Sequence, residues 1–373
     1  MSSMIDKCLQ ALRPEIRELS AYHVADATGM IKLDAMENPY CLDKDMRAGL
    51  QGVLASADLN RYPDPSAAVL RERLREVMQV PGCSEIVLGN GSDELIQMLA
   101  MAVAQEDACL LSFEPGFVMY QMIARFCDIE YAGVPLTESF EIDMGQTRRA
   151  IEKHQPAVIF IAYPNNPSAN CFNDRQIEEI IAMAPGMVVV DEAYHPFAQK
   201  SFMHRLKDHD NLLVMRTVSK LGLAGLRLGL LCGHPKLINE IDKVRLPYNI
   251  NVLTQTAAGF MLEHIAVLDE QAAHIREQRG LMMDALRSMQ VLEVFPSDAN
   301  FILFRVLGID ANEVFERIRQ QGVLIKNMKA TEGLLNNCLR VTVGTPEENQ
   351  EFLSALRNAV KSLSPHGAGG DEK

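Results

Sequence analysis

From about residue 85 the chain alternates short apolar runs with longer stretches of helical period. EIVLGN (85–90), ACLLSF (108–113), AVIFIAY (157–163), MVVVDE (187–192), NLLVMRT (211–217) and LRLGLLC (226–232) read as strands; SDELIQMLAMAVA and GFVMYQMIARF, among the first of them, read as helices. A strand apolar on both sides has no solvent face. Such runs alternating with helices predict a parallel sheet covered on both faces, an α/β core. Ahead of it, SAAVLRERLREVM (66–78) places Val69, Leu70, Leu74, Val77 and Met78 on one helical stripe, after a turn containing Pro63 and Pro65. Past residue 251 a helical pattern runs, with one break, to about 289. VLEVF, NFILF, VLI and CLRVTV follow as strands with a helix over 310–321, which predicts a smaller α+β unit. Its last helix opens on Thr345-Pro346-Glu347-Glu348: an N-cap, a proline at the first helical position and a glutamate placed to close a capping box. The final SPHGAGGDEK is polar and glycine-rich and is expected to fray.

Composition narrows the classes. With 373 residues, 48% hydrophobic and 23% charged, the chain can bury a core large enough for about two domains, and large-scale disorder is excluded. A formal net charge of −13 opposes a phosphate backbone, so nucleic acid is not an expected partner. The eight cysteines show no C-x-x-C pair and no metal-ligand spacing, which points to free thiols in a reducing compartment and to no metal. No apolar run nears the roughly 18 residues of a membrane span, and the start, MSSMIDKCLQALRPEI, lacks a signal-peptide core, so the expected location is the cytoplasm. Nine histidines without H-E-x-x-H and twenty methionines, several at helical spacing, read as structural or core residues.

Candidate chemistry lies where the apolar runs stop. Open α/β sheets bind ligands beyond the carboxyl ends of their strands. Those ends carry Gly89-Asn90-Gly91-Ser92-Asp93, Pro164-Asn165-Asn166-Pro167, Asp191-Glu192-Ala193-Tyr194 and Ser219-Lys220. The glycine loop leads into a helix and can turn backbone N–H groups toward a phosphate; having no third glycine, it equally describes a tight turn. Asp191 closes an apolar strand and needs a cationic partner, either a ligand or a structural ion pair. A Walker-B role fails, because no G-x-x-x-x-G-K-[ST] occurs. Lys220, among small and apolar neighbours in TVSKLGLAGLR, fits a desolvated amine reactive toward carbonyls, with Ser219 and Arg227 nearby for an anion. A lysine for an aldehyde, a carboxylate for a pyridine nitrogen, polar donors, a phosphate cradle and an aromatic face at Phe117 together match pyridoxal phosphate.

The stretches LDAMENPY (33–40), RYPDP (61–65), GNGSDELI (89–96), YPNNPSAN (163–170), VVVDEAY (188–194), TVSKLGLAGLRLG (217–229) and CLRVTVGT (338–345) resemble the fold-type I, class II pyridoxal-phosphate aminotransferases over about residues 15–360. RYPDP and CLRVTVGT are most similar to their histidinol-phosphate branch. The resemblance implies an N-terminal segment (1–45) packing with the small domain and a large cofactor-binding domain (46–262) with a mostly parallel seven-stranded sheet. A small α+β domain (263–363) and a tail (364–373) complete it. It implies transamination between histidinol phosphate and 2-oxoglutarate, with Lys220 bonding the cofactor and moving the proton, and Asp191 holding the pyridine nitrogen protonated. Asn166 and Tyr194 would bond the phenolic oxygen, Phe117 would stack on the ring, and Gly91, Ser92, Asp93, Ser219 and Arg227 would hold the phosphate. Tyr62 would reach the active site of a second subunit, implying a homodimer with shared sites. Arg340 would bind the substrate anion, with Tyr22, Asn38 and Lys326 around the substrate.

Some positions depart from the family pattern. Met36 stands where asparagine is usual, Ser168-Ala169 replaces Thr-Gly, Phe117 replaces a frequent tyrosine, and Lys326 replaces an arginine. A lysine keeps the charge of Arg but loses its fork, which leaves an aromatic amino-acid aminotransferase of the same family as the alternative.

Overall fold

The computed structural model describes residues 3–21, 25–329 and 332–363. After a two-residue strand β1 (Ile31–Lys32), seven strands build the main sheet: β2 (Glu85–Gly89), β3 (Cys109–Glu114), β4 (Glu130–Pro135), β5 (Val158–Ala162), β6 (Met187–Asp191), β7 (Leu212–Thr217) and β8 (Gly229–Gly233). Their spatial order is β2-β8-β7-β6-β5-β3-β4. Every pair is parallel except those made by β8, which runs against both β2 and β7. The apolar runs become strands for the expected reason. Along β5, Ile159 and Ile161 enter the core on one face while Val158, Phe160 and Ala162 enter the core on the other.

The sequence pattern gave no sign of β4. It is the edge strand, it alternates buried and exposed positions, and Gly133 and Pro135 interrupt it, so it shows no apolar run. The first large helix, Ala68–Val77, also differs from its expected stripe. Leu70, Leu74 and Met78 are buried, but Val69, one position round from Leu70, is 70% exposed.

A second sheet, order β12-β13-β10-β9, is antiparallel and joins β9 (Leu292–Val294), β10 (Phe301–Val306), β12 (Lys326–Asn327) and β13 (Cys338–Thr342). β1 pairs in parallel with β11 (Val323–Leu324), which joins the amino-terminal segment to this smaller unit. The long helical pattern breaks at His264. Helix Val252–Glu263 packs on Lys44–Ala55 and Ala68–Val77, whereas Ile265–Arg287 packs on β9 and on Pro346–Leu363. The capping box of the last helix forms as expected: Glu348 N–H donates to Thr345 Oγ1 at 3.2 Å, and Thr345 N–H donates to Glu348 Oε2 at 2.9 Å. No described helix is long and apolar enough to cross a membrane.

The sheet's reversed strand shapes the site. β8 starts at the edge where its neighbours end, since Gly229 is the register partner of both Gly89 and Thr217. Residues just before β8 therefore meet the loops that follow β2 and β7. At the end of β6, Glu192 is fully buried and accepts from Arg216 at 2.8 Å and from Ser201 Oγ at 2.9 Å, while Arg216 also donates to the Met78 carbonyl at 2.9 Å. The structural ion pair of this strand end thus belongs to Glu192. Glu192→Ala leaves the Arg216 guanidinium buried without its counter-charge and should lower the unfolding free energy by about 3–5 kcal/mol in a urea titration. A loss under about 1 kcal/mol, the scale of an exposed pair, would contradict this account.

Candidate active site

The carboxyl edge of the main sheet opens into a cleft with about 630 Å³ of free space, counted out to solvent, within the usual range for a small-molecule site. Ser92, Asp93, Phe117, Asn166, Asp191, Tyr194, Ser219, Lys220 and Arg227 all line it, although they come from five separate loops. Met36 and Thr217, which the sequence reading did not assign, line it as well.

At one end lies an anion cradle. Helix Ser92–Val103 begins at the cleft with Gly91 as N-cap (φ +80) and no side-chain cap among the described residues, so its first N–H groups and its positive terminus face the opening. The φ of +80 at Gly91 favours glycine, and a Cβ there would lie 2.6 Å from Arg227 Nη2, so a larger residue would also push the guanidinium off this turn. Arg227 is oriented by Asp93 at 3.5 Å, and the Thr217 and Ser219 hydroxyls, 2.8 Å apart, stand at the end of β7. Backbone donors, hydroxyls and an arginine around a helix start are the groups that can hold a phosphate.

Asp191 is buried, and its carboxylate accepts from the Tyr120 hydroxyl at 2.7 Å and from the Ala193 N–H at 3.1 Å. Burial pushes its carboxyl up to about 6, against the downward pull of these two donors. Tyr120 was missed by the sequence reading. It is fully buried, stacks on Phe160 with centroids 4.7 Å apart and meets Phe117 edge-on at 5.4 Å. The available signal was its position three residues after Phe117, one helical step along the segment that follows β3. Lys220 reaches the cleft from a one-turn π-helical loop, Ser219–Leu223, in which Gly222 has φ +125. Burial first, and then the charge of Arg340, bring its amine down to about 8. Its Nζ donates to the Ala35 carbonyl at 3.3 Å and lies 5.7 Å from the centre of the Tyr194 ring. Asn166 joins two groups: its Nδ2 donates to the Tyr194 hydroxyl at 3.3 Å and its Oδ1 accepts from Arg340 at 2.5 Å. Arg340 also donates to the Asp34 carbonyl at 3.0 Å and lies over the Phe301 ring.

The remaining candidates are placed differently. Asn38 does not line the cleft: it supports the Lys220 loop from behind, donating to the Leu221 carbonyl at 3.0 Å and to Gln271 at 2.9 Å. Lys326 is exposed and pairs in register with Arg340 across β12 and β13, so both cations leave the same face of the small sheet. Tyr62 is 82% exposed, does not line its own chain's cleft, and stacks on Tyr248 at 4.5 Å. Tyr22 and the tail lie outside the described residues. Far along the chain from the motifs, Cys109, Glu130 and His154 bring one ligand atom each within 4.8 Å of one another. Here His154 Nδ1 is already 2.7 Å from Glu130 in a hydrogen bond, and burial raises the Cys109 thiol to about 11, so two of the three groups are engaged or held in a form that does not bind a metal.

The cleft's donor set fits pyridoxal phosphate. It offers a buried carboxylate with no charged partner among the described residues, a desolvated amine, backbone N–H groups, hydroxyls and an arginine at a helix start, and an aromatic wall at Phe117. Residues 28–356 match the family model described as aminotransferase class I and II. Histidinol-phosphate aminotransferase 2 of Cupriavidus pinatubonensis is 52% identical over 366 residues, covering 96% of this chain and 100% of the relative. The protein of the same name from Nitrosococcus oceani is 51% identical, covering 96% and 99%. Among solved structures, the histidinol-phosphate aminotransferase of Sinorhizobium meliloti in complex with pyridoxal-5'-phosphate shares the fold, with a TM-score of 0.83 at 21% identity, covering 95% of this chain and 98% of that one. The chain belongs to the class I and II aminotransferases, fold-type I enzymes of pyridoxal phosphate, and within them to the histidinol-phosphate aminotransferase group.

Proposed function

We propose that this protein moves the amino group of histidinol phosphate to 2-oxoglutarate, giving imidazole acetol phosphate and glutamate. The observation that carries the reading is one cleft holding a lysine amine lowered to about 8 and a buried carboxylate beside an anion cradle. When bound, pyridoxal phosphate supplies an aldehyde that accepts the amino group and a ring that delocalises the electrons left when the substrate carbon loses its proton. Lys220 would hold the aldehyde end of the cofactor, and its Nζ would take the proton from the substrate carbon and return it to the cofactor carbon on the other side of the nitrogen. Asp191 holds the pyridine nitrogen protonated, and Tyr120 and the Ala193 N–H hold Asp191 in its carboxylate form. Asn166 and Tyr194 donate to the phenolic oxygen. The N–H groups of Ser92 and Asp93, the Ser219 hydroxyl and Arg227 hold the phosphate, with Gly91 leaving the space. Arg340 meets the substrate anion, a carboxylate in one half-reaction and a phosphate in the other, and Lys326 on the same face adds a second positive charge for the dianion. Relatives of about half identity over nearly the whole chain favour histidinol phosphate over a free aromatic amino acid as the donor.

The acting form is a homodimer. Tyr62 and Tyr248 stack on a surface where Leu59 and Leu246, each 72% exposed, flank them in the chain, and Tyr62 has no cleft of its own chain to serve. The eight cysteines are free thiols, which suits the reducing cytoplasm.

A visible-absorbance titration tests the reading: the band of the loaded protein should bleach with histidinol phosphate and return with 2-oxoglutarate. A band that answers only phenylalanine or tyrosine would move the substrate, and carbon dioxide release without a keto acid would make the protein a decarboxylase. Lys220→Ala should cut turnover by more than the roughly 10²–10⁴-fold of general acid–base work alone, since anchor and base are lost together; near-wild-type turnover removes Lys220 from its role. Cofactor affinity of the cofactor-free protein should weaken as pH falls through about 6, where Asp191 takes up its proton. Tyr120→Phe removes a donor that favours the carboxylate, so the midpoint should move to higher pH; an unmoved midpoint excludes Tyr120 from holding Asp191. Sedimentation should give about twice 41.5 kDa, with Tyr62→Ala loosening the cofactor. A fully active species of single-chain mass would refute the shared site.

A further inference from the structure

The amino-terminal segment crosses the cleft in a short, heavily restrained turn. Met36 has φ +54, in the left-handed region that a long side chain enters only at an energetic cost. Three successive residues are tied there by groups from different parts of the fold. The Asp34 carbonyl accepts from Arg340 at 3.0 Å, the Ala35 carbonyl from Lys220 Nζ at 3.3 Å, and the Met36 carbonyl from Asn300 Nδ2 at 3.0 Å. The Met36 N–H donates to Thr342 Oγ1 at 3.0 Å. Backbone strain held in place by its surroundings in this way clusters at active sites and ligand clamps.

Met36 also lines the cleft together with Phe117, Tyr194 and Lys220, and it packs against the apolar cluster that contains Tyr194 and Phe301. Most other cleft groups are polar and already assigned to an anion, a ring nitrogen, a phenolic oxygen or the amine. Phe117 is assigned to the cofactor ring. Met36 is the cleft's apolar group that comes from the amino-terminal segment and has no role in holding the cofactor. A thioether is polarizable, adapts to a flat ring and gains from sulfur–aromatic contact.

We infer that Met36 is a specificity-determining residue, whose left-handed turn sets the thioether as the wall on which the planar, uncharged ring of the amino donor packs. The inference rests on the proposed transamination of a ring-bearing donor. It makes the two half-reactions unequal: a donor with an aromatic ring uses the wall, and glutamate, whose side chain ends in a carboxylate, does not.

The test is half-reaction kinetics on the holoenzyme, comparing histidinol phosphate with glutamate for wild type, Met36→Ala and Met36→Leu. Met36→Ala keeps the backbone turn and deletes the wall. The ratio of kcat/KM for histidinol phosphate to that for glutamate should fall roughly three- to tenfold, the scale of a lost sulfur–ring contact, and the fall should appear in KM rather than kcat. Met36→Leu, which keeps an apolar wall, should recover most of the ratio. An equal loss with both donors, or a loss confined to kcat, would overturn the inference and leave Met36 as a backbone support for Ala35 and Lys220. A wild-type enzyme that does not turn over histidinol phosphate would instead overturn the proposed reaction, so the two failures are separable.

Discussion

One carboxylate governs the arrangement of the cleft. Asp191 ends a strand buried on both faces, where an ionised group without a counter-charge costs several kcal/mol even after relaxation, on the order of the penalty for any buried ion. Its neighbour Glu192 meets the same condition and is neutralised permanently by Arg216. Among the described residues Asp191 has hydrogen bonds from Tyr120 and Ala193 but no positive partner, and burial lifts its carboxyl to about 6. Two adjacent carboxylates are thus divided between fold and ligand. The counter-charge that Asp191 lacks is what a protonated pyridine nitrogen provides, and the lowered amine of Lys220 is the complementary half of the same design.

Legibility in the sequence followed the range of the interactions. The two-sided strands were readable because a buried parallel strand must be apolar throughout, and the helix start at Thr345 was readable because its capping box closes within four residues. β4 was invisible because an edge strand needs no such purity. Val69 was assigned to a buried stripe that turns away from it, since apolar character does not say which flank of a helix meets the core. In the cleft, the loops after β2, β5, β6 and β7 carried enough local chemistry to be named. Tyr120 was not, because a phenol in a helix gains meaning only from a carboxylate 71 positions away. Asn38 donates to the Leu221 carbonyl of the lysine loop and to Gln271, contacts that no spacing rule anticipates. A Cβ on Gly222 would come within 2.9 Å of its amide, so the loop and its support fit only with glycine there.

The turn at residues 34–36 ties together parts of the molecule that are far apart in the chain. Its acceptors reach Arg340 of β13, Lys220 of the large unit and Asn300 just before β10. β1 a few residues earlier joins the small unit through β11. A rearrangement of this segment therefore changes the surroundings of the Lys220 amine and of the Arg340 guanidinium together.

The reversal of β8 also has a consequence for the order in which a growing chain can become a site. Gly91 emerges from the ribosome more than a hundred residues before Arg227, the guanidinium that closes over it, and β2 has no sheet partner until β8 has been made. The wall at Met36 waits longer still, because its hydrogen bonds and the strand beside it need Asn300, Val323 and Thr342. Parallel strands β3 to β7 can gather as they are synthesised, as amino-terminal units commonly do, but the two ends of the cleft belong to the last contacts formed. A nascent chain halted before β8 would have the central strands of the enzyme and neither its phosphate cradle nor its substrate wall.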